Sequence, residues 1–240
     1  MYQFTKPMLK QIDRHLWVAE QPLKFLGLEV GTKMTVIKLS NGSLVVISPI
    51  EINSEIQQQL DTIGTVRYII APNLFHYLYL DRVQEIYPQA QTIAPLGLAA
   101  KQPDLKIDKV FTQDPIEFDS ELEFVLFEGF RVLIPPKVKT VNEIVFYHPA
   151  SKTLIITDSA FNFDRSFPFV TQLAARVLGS YQVLKPYLLD KIASQDKPKL
   201  KQSIDKILAW DFQRVIMAHG TIVEHEAKAQ LSAGYRWLLE

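Results

Sequence analysis

The sequence predicts an α/β (α+β) chain folded as a four-layer αββα sandwich, two packed sheets with helices on their outer faces. Apolar, strand-like runs come in two groups of similar size, one toward the N-terminus and one within residues 116–157, and each group is followed by stretches of helical periodicity. Asn41-Gly42 lies between the apolar runs 34–39 and 44–47, a strong short-range hairpin signal. Periodicity by itself does not separate this sandwich from an ordinary mixed α/β domain.

Taken in order, residues 16–19, 34–39 and 44–47 read as strands, and Pro49 ends the third. Ser54 with Gln57 three residues later predicts a capping box for a helix whose Ile56, Leu60 and Ile63 share one face, closed by Gly64. Tyr68-Ile69-Ile70-Ala71 is a continuous apolar run, which suits a strand buried on both faces, and Pro72 stops it because it cannot continue a hydrogen-bond ladder. A helix through 83–86 and a short strand at 91–94 follow. Residues 95–115, broken by Pro95, Gly97, Pro103 and Pro115, read as a surface connection without chemistry. Strands return at 121–127, 131–134, 143–147 and 154–157 as a second meander. Helices are then predicted at 170–178, 187–193 and 199–210, a strand at 214–217 and a last helix to Leu238.

Composition narrows the function classes. A chain of 240 residues with 48% hydrophobic residues can bury one substantial core, so a single domain over 1–240 is expected. Lysine plus arginine and aspartate plus glutamate both number 26, so no global field favours nucleic acid or an anionic membrane. The absence of cysteine excludes disulfides, thiolate metal sites and a cysteine nucleophile, and fits a reducing compartment. The N-terminus, with Lys6, Lys10, Asp13 and Arg14, has no apolar signal core, and no run approaches the roughly 20 apolar residues of a spanning helix; a soluble, cytoplasmic protein is expected. No Gly-rich phosphate loop, Gly-x-Ser-x-Gly elbow or basic aromatic strip is present.

The candidate chemistry lies at strand ends, where open α/β layers gather ligands and catalytic groups. His76 and His219 each follow a predicted strand, and Asp158 follows Leu154-Ile155-Ile156-Thr157 in the same manner. Together they form the candidate catalytic set, and two histidines with one aspartate also meet the ligand count of a catalytic zinc site with an open position. The same residues have plainer uses: His76 hydrogen-bonded near the surface, Asp158 capping the turn at Ser159-Ala160, His219 bonding a loop carbonyl. Glu143 can reach the same pocket, although a glutamate opening a strand is usually solvated. Phe161, Phe163, Phe167 and Phe169 either roof a pocket beside Asp158 or belong to the core or to a partner contact. His148 and His225 read as surface residues.

These motifs resemble the metallo-β-lactamase-like superfamily over nearly the whole chain. The resemblance rests on the Asn-Gly hairpin, the strand leading to a histidine-bearing turn, the pair Glu143-Ile144-Val145-Phe146-Tyr147 and Leu154-Ile155-Ile156-Thr157-Asp158, and Met217-Ala218-His219-Gly220. The resemblance implies the αββα fold and, for typical members, two zinc ions on a His-x-His-x-Asp-His turn. Aligned on the preceding strand, this chain has Asn73, Phe75, Tyr77 and Leu78 at the four ligand positions, and His76 falls on a spacer. Lys139 aligns with the next family histidine, which places an ammonium where the cation would be, paired with Asp158. Asp158 and His219 match the bridging aspartate and the last histidine. The runs Ala71-Pro72-Asn73, Asn142-Glu143-Ile144 and Met34-Thr35-Val36-Ile37 are similar to a metal-ligand-depleted bacterial branch of unknown function.

Two functional readings follow. In the first, the protein lacks the two-zinc site and any cofactor and binds a small molecule through Asn73, Lys139 and Glu143, or is structural. In the second, His76, Asp158 and His219 hold a single residual metal ion, or act without one as an acid/base set, to hydrolyse a small ester, thioester or lactone. Neither reading involves nucleic acid or membrane, and the oligomeric state is not legible.

Overall fold

The computed structural model describes residues 7–112, 116, 118, 120–134 and 136–240. The first half contains β1 (Lys10–Asp13), β2 (Leu16–Gln21), a small hairpin of β3 (Lys24–Phe25) and β4 (Leu28–Glu29), then β5 (Thr32–Lys38), β6 (Ser43–Ile47), α1 (Ser54–Ile63), β7 (Thr65–Ile70), α2 (Leu80–Ile86), β8 (Gln91–Ala94), α3 (Leu98–Lys101) and β9 (Lys109–Val110). The second half contains β10 (Glu123–Phe127), β11 (Arg131–Ile134), β12 (Lys137–Thr140), β13 (Glu143–His148), β14 (Thr153–Ile156), α4 (Phe169–Leu178), α5 (Leu188–Ala193), α6 (Lys197–Ala209), β15 (Arg214–Met217), α7 (Ala227–Gly234) and α8 (Arg236–Leu239). Seven strands form one sheet in the order β1-β2-β5-β6-β7-β8-β9, and four form the other in the order β10-β13-β14-β15.

Period-two alternation explains the layering. In β6, Leu44 and Val46 pack with Ile56 and Leu60 of α1, whereas Val45 and Ile47 face the second sheet. In β14, Ile155 meets that same inter-sheet layer while Leu154 and Ile156 pack with Leu200, Ile204 and Ile207 of α6. Both faces of these strands are covered, so their sequences read as continuous apolar runs. The result is helix, sheet, sheet, helix, the αββα sandwich. Among the described residues no helix is long and apolar enough to cross a membrane.

The Asn41-Gly42 turn forms as expected: Gly42 adopts a φ of 83° and its N–H donates to the Leu39 carbonyl. Several other expectations change. Among the described residues Arg131–Ile134 does not join the second sheet; it pairs with β12 in a separate hairpin, and β13 is flanked by β10 and β14. The 95–115 connection carries α3 and β9, the latter extending the first sheet beside β8, while residues 113–115 lie outside the described set. His148 is buried, not superficial: its Nδ1 lies 2.7 Å from Ser151 Oγ and burial pushes its pKa down. The helix α1 is capped by Asn53, whose Oδ1 accepts from the N–H groups of Glu55 and Ile56 at 3.0 and 2.9 Å, so the expected Ser54 box is displaced by one residue. Accordingly, Asn53→Ala should lower stability to urea by about 1 kcal/mol while Ser54→Ala leaves it nearly unchanged.

Candidate functional site

Strands β6 and β7 run parallel, as do β14 and β15, so the segments leaving their carboxyl ends meet at one end of the sandwich. After β7, the Pro72 carbonyl accepts from Ile144 N–H at 2.7 Å, which ties the exit to β13. Asn73 then folds the chain back: its Oδ1 accepts from the N–H groups of Phe75 and His76 at 2.7 and 3.0 Å, an Asx turn. Its Nδ2 donates to Thr157 Oγ1 at 2.9 Å and to Asp158 Oδ2 at 2.7 Å. Asn73 is completely buried and its amide is used within the protein, so it positions His76 and Asp158 instead of meeting a ligand directly.

Asp158 leaves β14 in a turn held by Glu143. The Glu143 carboxylate accepts from Thr157 N–H, Asp158 N–H and Ser159 O–H, each at 2.8 Å. Glu143 is 1% exposed, which corrects the expectation of a solvated carboxylate: the first residue of β13 faces the turn across the strand pair and satisfies its donors. Burial and then the Asp158 charge push its pKa up to about 7, opposed by the three donated hydrogen bonds.

The structure brings His76, Asp158 and His219 together, with ligand atoms all within 4.8 Å of one another. His76 Nε2 lies 3.4 Å from Asp158 Oδ2, and its Nδ1 lies 2.7 Å from Ser48 Oγ at the end of β6. His219 Nε2 lies 3.7 Å from Asp158 Oδ1. Burial alone would raise the Asp158 pKa, but the neighbouring His76 and the donated hydrogen bond of the Asn73 amide outweigh it and hold it at about 2, so the carboxylate is ionised. His219 Nδ1 lies 2.5 Å from the Gly31 carbonyl, which can only accept, so Nδ1 carries the proton. Burial, and then the neighbouring His76, push His219 down to about 4, leaving it neutral with a bare Nε2. A carboxylate oxygen and an imidazole lone pair therefore face each other across 3.7 Å.

Lys139 does not occupy this space. It is exposed on β12 with Nζ 5.9 Å from the Phe75 ring centroid, and among the described residues the ion pairs of Asp158 are to the two histidines. The hairpin carries the lysine away from the carboxylate, which Asn73 and the histidines already enclose. The aromatic stretch divides: Phe161 lines the site, Phe163 and Phe167 are buried beside it, and Phe169 is exposed. His225 is exposed, as expected.

A cavity of about 360 Å³ opens over the three residues, walled by Leu23, Val30, Phe75, Val132, Ile134 and Phe161. Asp190, at the start of α5, lines it as well and is almost fully buried. Sequence reasoning missed Asp190, Ser48 and the Gly31 carbonyl, none of which carries a local signal, and also Lys33. That lysine is buried, its pKa is lowered by desolvation, and its Nζ donates to the Gly220 carbonyl beside His219.

Over residues 13–184 the sequence matches DUF4336, a domain of unknown function. The chain belongs to the DUF4336 family. No curated protein sequence matches this DUF4336 chain significantly. Its fold is that of solved metallo-β-lactamases: one from Pontibacter korlensis superposes with a TM-score of 0.65 at 14% identity, covering 98% of this chain and 100% of that one. IND-7 gives 0.62 at 15% identity, covering 99% and 100%. A putative diflavin flavoprotein fragment from Nostoc sp. gives 0.60 at 14% identity, covering 98% and 97%. Phe75, Tyr77 and Leu78, which follow the Asn73 turn, line the cavity wall. Among the described residues, His76, Asp158 and His219 form the group of side chains placed to hold a metal ion.

Replacing Glu143 with glutamine turns one acceptor toward the 157–159 turn into a donor facing a donor. The Glu143→Gln variant should lose about 2 kcal/mol in denaturant unfolding, and more than any glutamate-to-glutamine change at an exposed site.

Proposed function

We propose that the protein holds one divalent cation among His76 Nε2, Asp158 and His219 Nε2 and hydrolyses a small, largely apolar ester, thioester or lactone in the cavity above. The carrying observation is the pair of facing acceptors, Asp158 Oδ1 and the bare His219 Nε2, 3.7 Å apart. Two acceptors this close are unfavourable unless an electron-poor group lies between them. The donor set, one carboxylate and two imidazoles, suits a borderline-soft divalent ion such as zinc, and the Gly31 carbonyl and Ser48 hydroxyl behind the rings are the orienting partners such ligands require. A cation so bound would supply Lewis-acid polarisation of a carbonyl and a bound water of lowered pKa.

The chain's own residues would do the rest. Asn73 and Glu143 fix the direction of Asp158, the Gly31 carbonyl keeps the proton of His219 on Nδ1, and the apolar wall excludes bulk water from the substrate. One ion is proposed because, among the described residues, His76, Asp158 and His219 form the cluster of histidine and carboxylate side chains spaced to hold a metal. One observation favours a second reading, a metal-free binding protein: Asp158 Oδ2 is already satisfied by the Asn73 amide and approached by His76.

Zinc titration of chelator-treated protein, read by calorimetry and elemental analysis, separates the two. The expected result is one equivalent bound, with His219→Ala and Asp158→Asn each weakening uptake about 10- to 100-fold. Uptake no different in those variants, or none in the native protein, would leave only the metal-free reading. With zinc loaded, esters and lactones of short acyl chains should be cleaved and a His219→Ala protein should not cleave them.

A further inference from the structure

Helix α4 turns its large apolar side chains outward. Its buried residues, Thr171 and Ala175, are small, and Thr171 Oγ1 donates to the Glu29 carbonyl at 3.0 Å, which seats the helix on β4. The solvent side carries Phe169, Val170, Leu173 and Val177, each between 50% and 73% exposed. Phe169, Leu173 and Val177 follow one another at intervals of four, and Val170 stands three before Leu173, so the four form one stripe. A surface helix ordinarily faces such a stripe to the core. Exposed apolar side chains are common one at a time, but four on one helix face mark an interaction surface. The β3–β4 hairpin on which α4 sits adds exposed Phe25 and Leu26, and Phe25 also lines the cavity.

Charge decides what covers this face. From Arg165 to Leu189 the sequence contains no aspartate or glutamate. Arg165 and Arg176 are exposed, and Arg176 shares the face of the stripe, three residues after Leu173 and seven after Phe169. Its guanidinium lies 3.6 Å from the Tyr181 ring centroid. Lys185 lies against Gly179, which caps the C-terminal end of the helix. The neighbouring acids are engaged: Glu29 pairs with Lys24 at 3.5 Å, and Asp164 accepts from the Ser166 N–H and O–H at 2.9 and 2.5 Å. A second copy docked about a two-fold axis would set this acid-free surface against itself, cations opposite cations. An anionic bilayer complements both features, with an acyl boundary for the stripe and phosphates for the cations. The zero net charge of the whole chain describes the global field, whereas the cations here are local.

We propose that α4 and the β3–β4 hairpin dock on an anionic lipid bilayer, with Phe169, Val170, Leu173 and Val177 entering the headgroup boundary and Arg165, Arg176 and Lys185 meeting lipid phosphates. None of these side chains belongs to the His76, Asp158 and His219 cluster, so the inference is independent of whether a cation binds there. It goes beyond the hydrolytic reading by naming a surface from which apolar molecules could be drawn, since Lys24 and Phe25 of the docking hairpin line the cavity.

Co-sedimentation of the full chain with vesicles tests this, using phosphatidylcholine alone and phosphatidylcholine mixed with an equal part of phosphatidylserine, at rising sodium chloride. The chain should partition onto the phosphatidylserine vesicles, more weakly onto phosphatidylcholine, and less as salt screens the phosphates. Leu173→Asp should lower partitioning about tenfold, the size of one apolar side chain withdrawn from the boundary. Arg176→Gln should lower it about fivefold, the size of one cation at an anionic surface. Arg82→Gln, an equal charge change at an exposed position of α2, should leave it unchanged. If Leu173→Asp fails to fold, Val177→Asp on the same stripe gives the same reading. No partitioning, equal uptake by the two kinds of vesicle, native-like binding by the stripe variant, or an Arg82→Gln loss equal to that of Arg176→Gln overturns the inference. So does a dimer in light scattering that Leu173→Asp dissociates, which would assign the face to a second copy.

Discussion

The Glu143 carboxylate, inserted beneath the turn that leaves β14, is the interaction on which the rest of the site depends. Its two oxygens collect Thr157 N–H, Asp158 N–H and Ser159 O–H, groups that no strand ladder can satisfy because the parallel pairing of β14 with β15 ends at Ile156. A turn held this way cannot pivot, so Asp158 points into the gap between the sheet ends. Asn73 completes the restraint from the other sheet, donating to Asp158 with its amide nitrogen while its oxygen shapes the turn that presents His76. The two sheets are thereby coupled through one carboxylate.

That carboxylate is ionised, His219 is neutral, and the proton of His219 is committed to Gly31. These three facts make the cluster an electron-rich pocket rather than a closed salt bridge. An ordinary buried His-Asp pair would share a proton between nitrogen and oxygen; here, on the Oδ1 side, both partners present lone pairs. The apolar wall above strengthens the effect by raising the electrostatic cost of leaving that concentration of lone pairs uncompensated. Lys33, beside His219 on the far side of Gly220, is spent on the Gly220 carbonyl and on Glu20 at 3.5 Å.

The layers of the fold were legible because β6, β13, β14 and β15 are buried on both faces, and such strands must be continuous apolar runs. The histidines and Asp158 were legible for the same reason: each follows directly on a strand whose end is marked by composition. How His76, six residues past the end of β7, reaches Asp158 is explained by the Asn73 turn, a contact that no local pattern announces. Glu143 looked like a solvated strand start because its three partners lie 14 to 16 residues away across the sheet. Lys139 was misplaced because β11 and β12 form a hairpin of their own, whose pairing no local pattern separated from the main sheet. Asp190 and Ser48 gave no signal at all; a buried, half-paired aspartate is defined by what packs over it.

The proposed cation site depends on the protonation of one imidazole, and nitrogen-15 NMR of histidine-labelled protein measures it directly. The metal-free protein at neutral pH should show His219 as the Nδ1–H tautomer with an unprotonated Nε2, and one equivalent of zinc should move the Nε2 signal while Nδ1 keeps its proton. A His219 protonated at Nε2, or an Nε2 signal that zinc leaves where it was, would contradict the arrangement of facing acceptors and the cation site built on it.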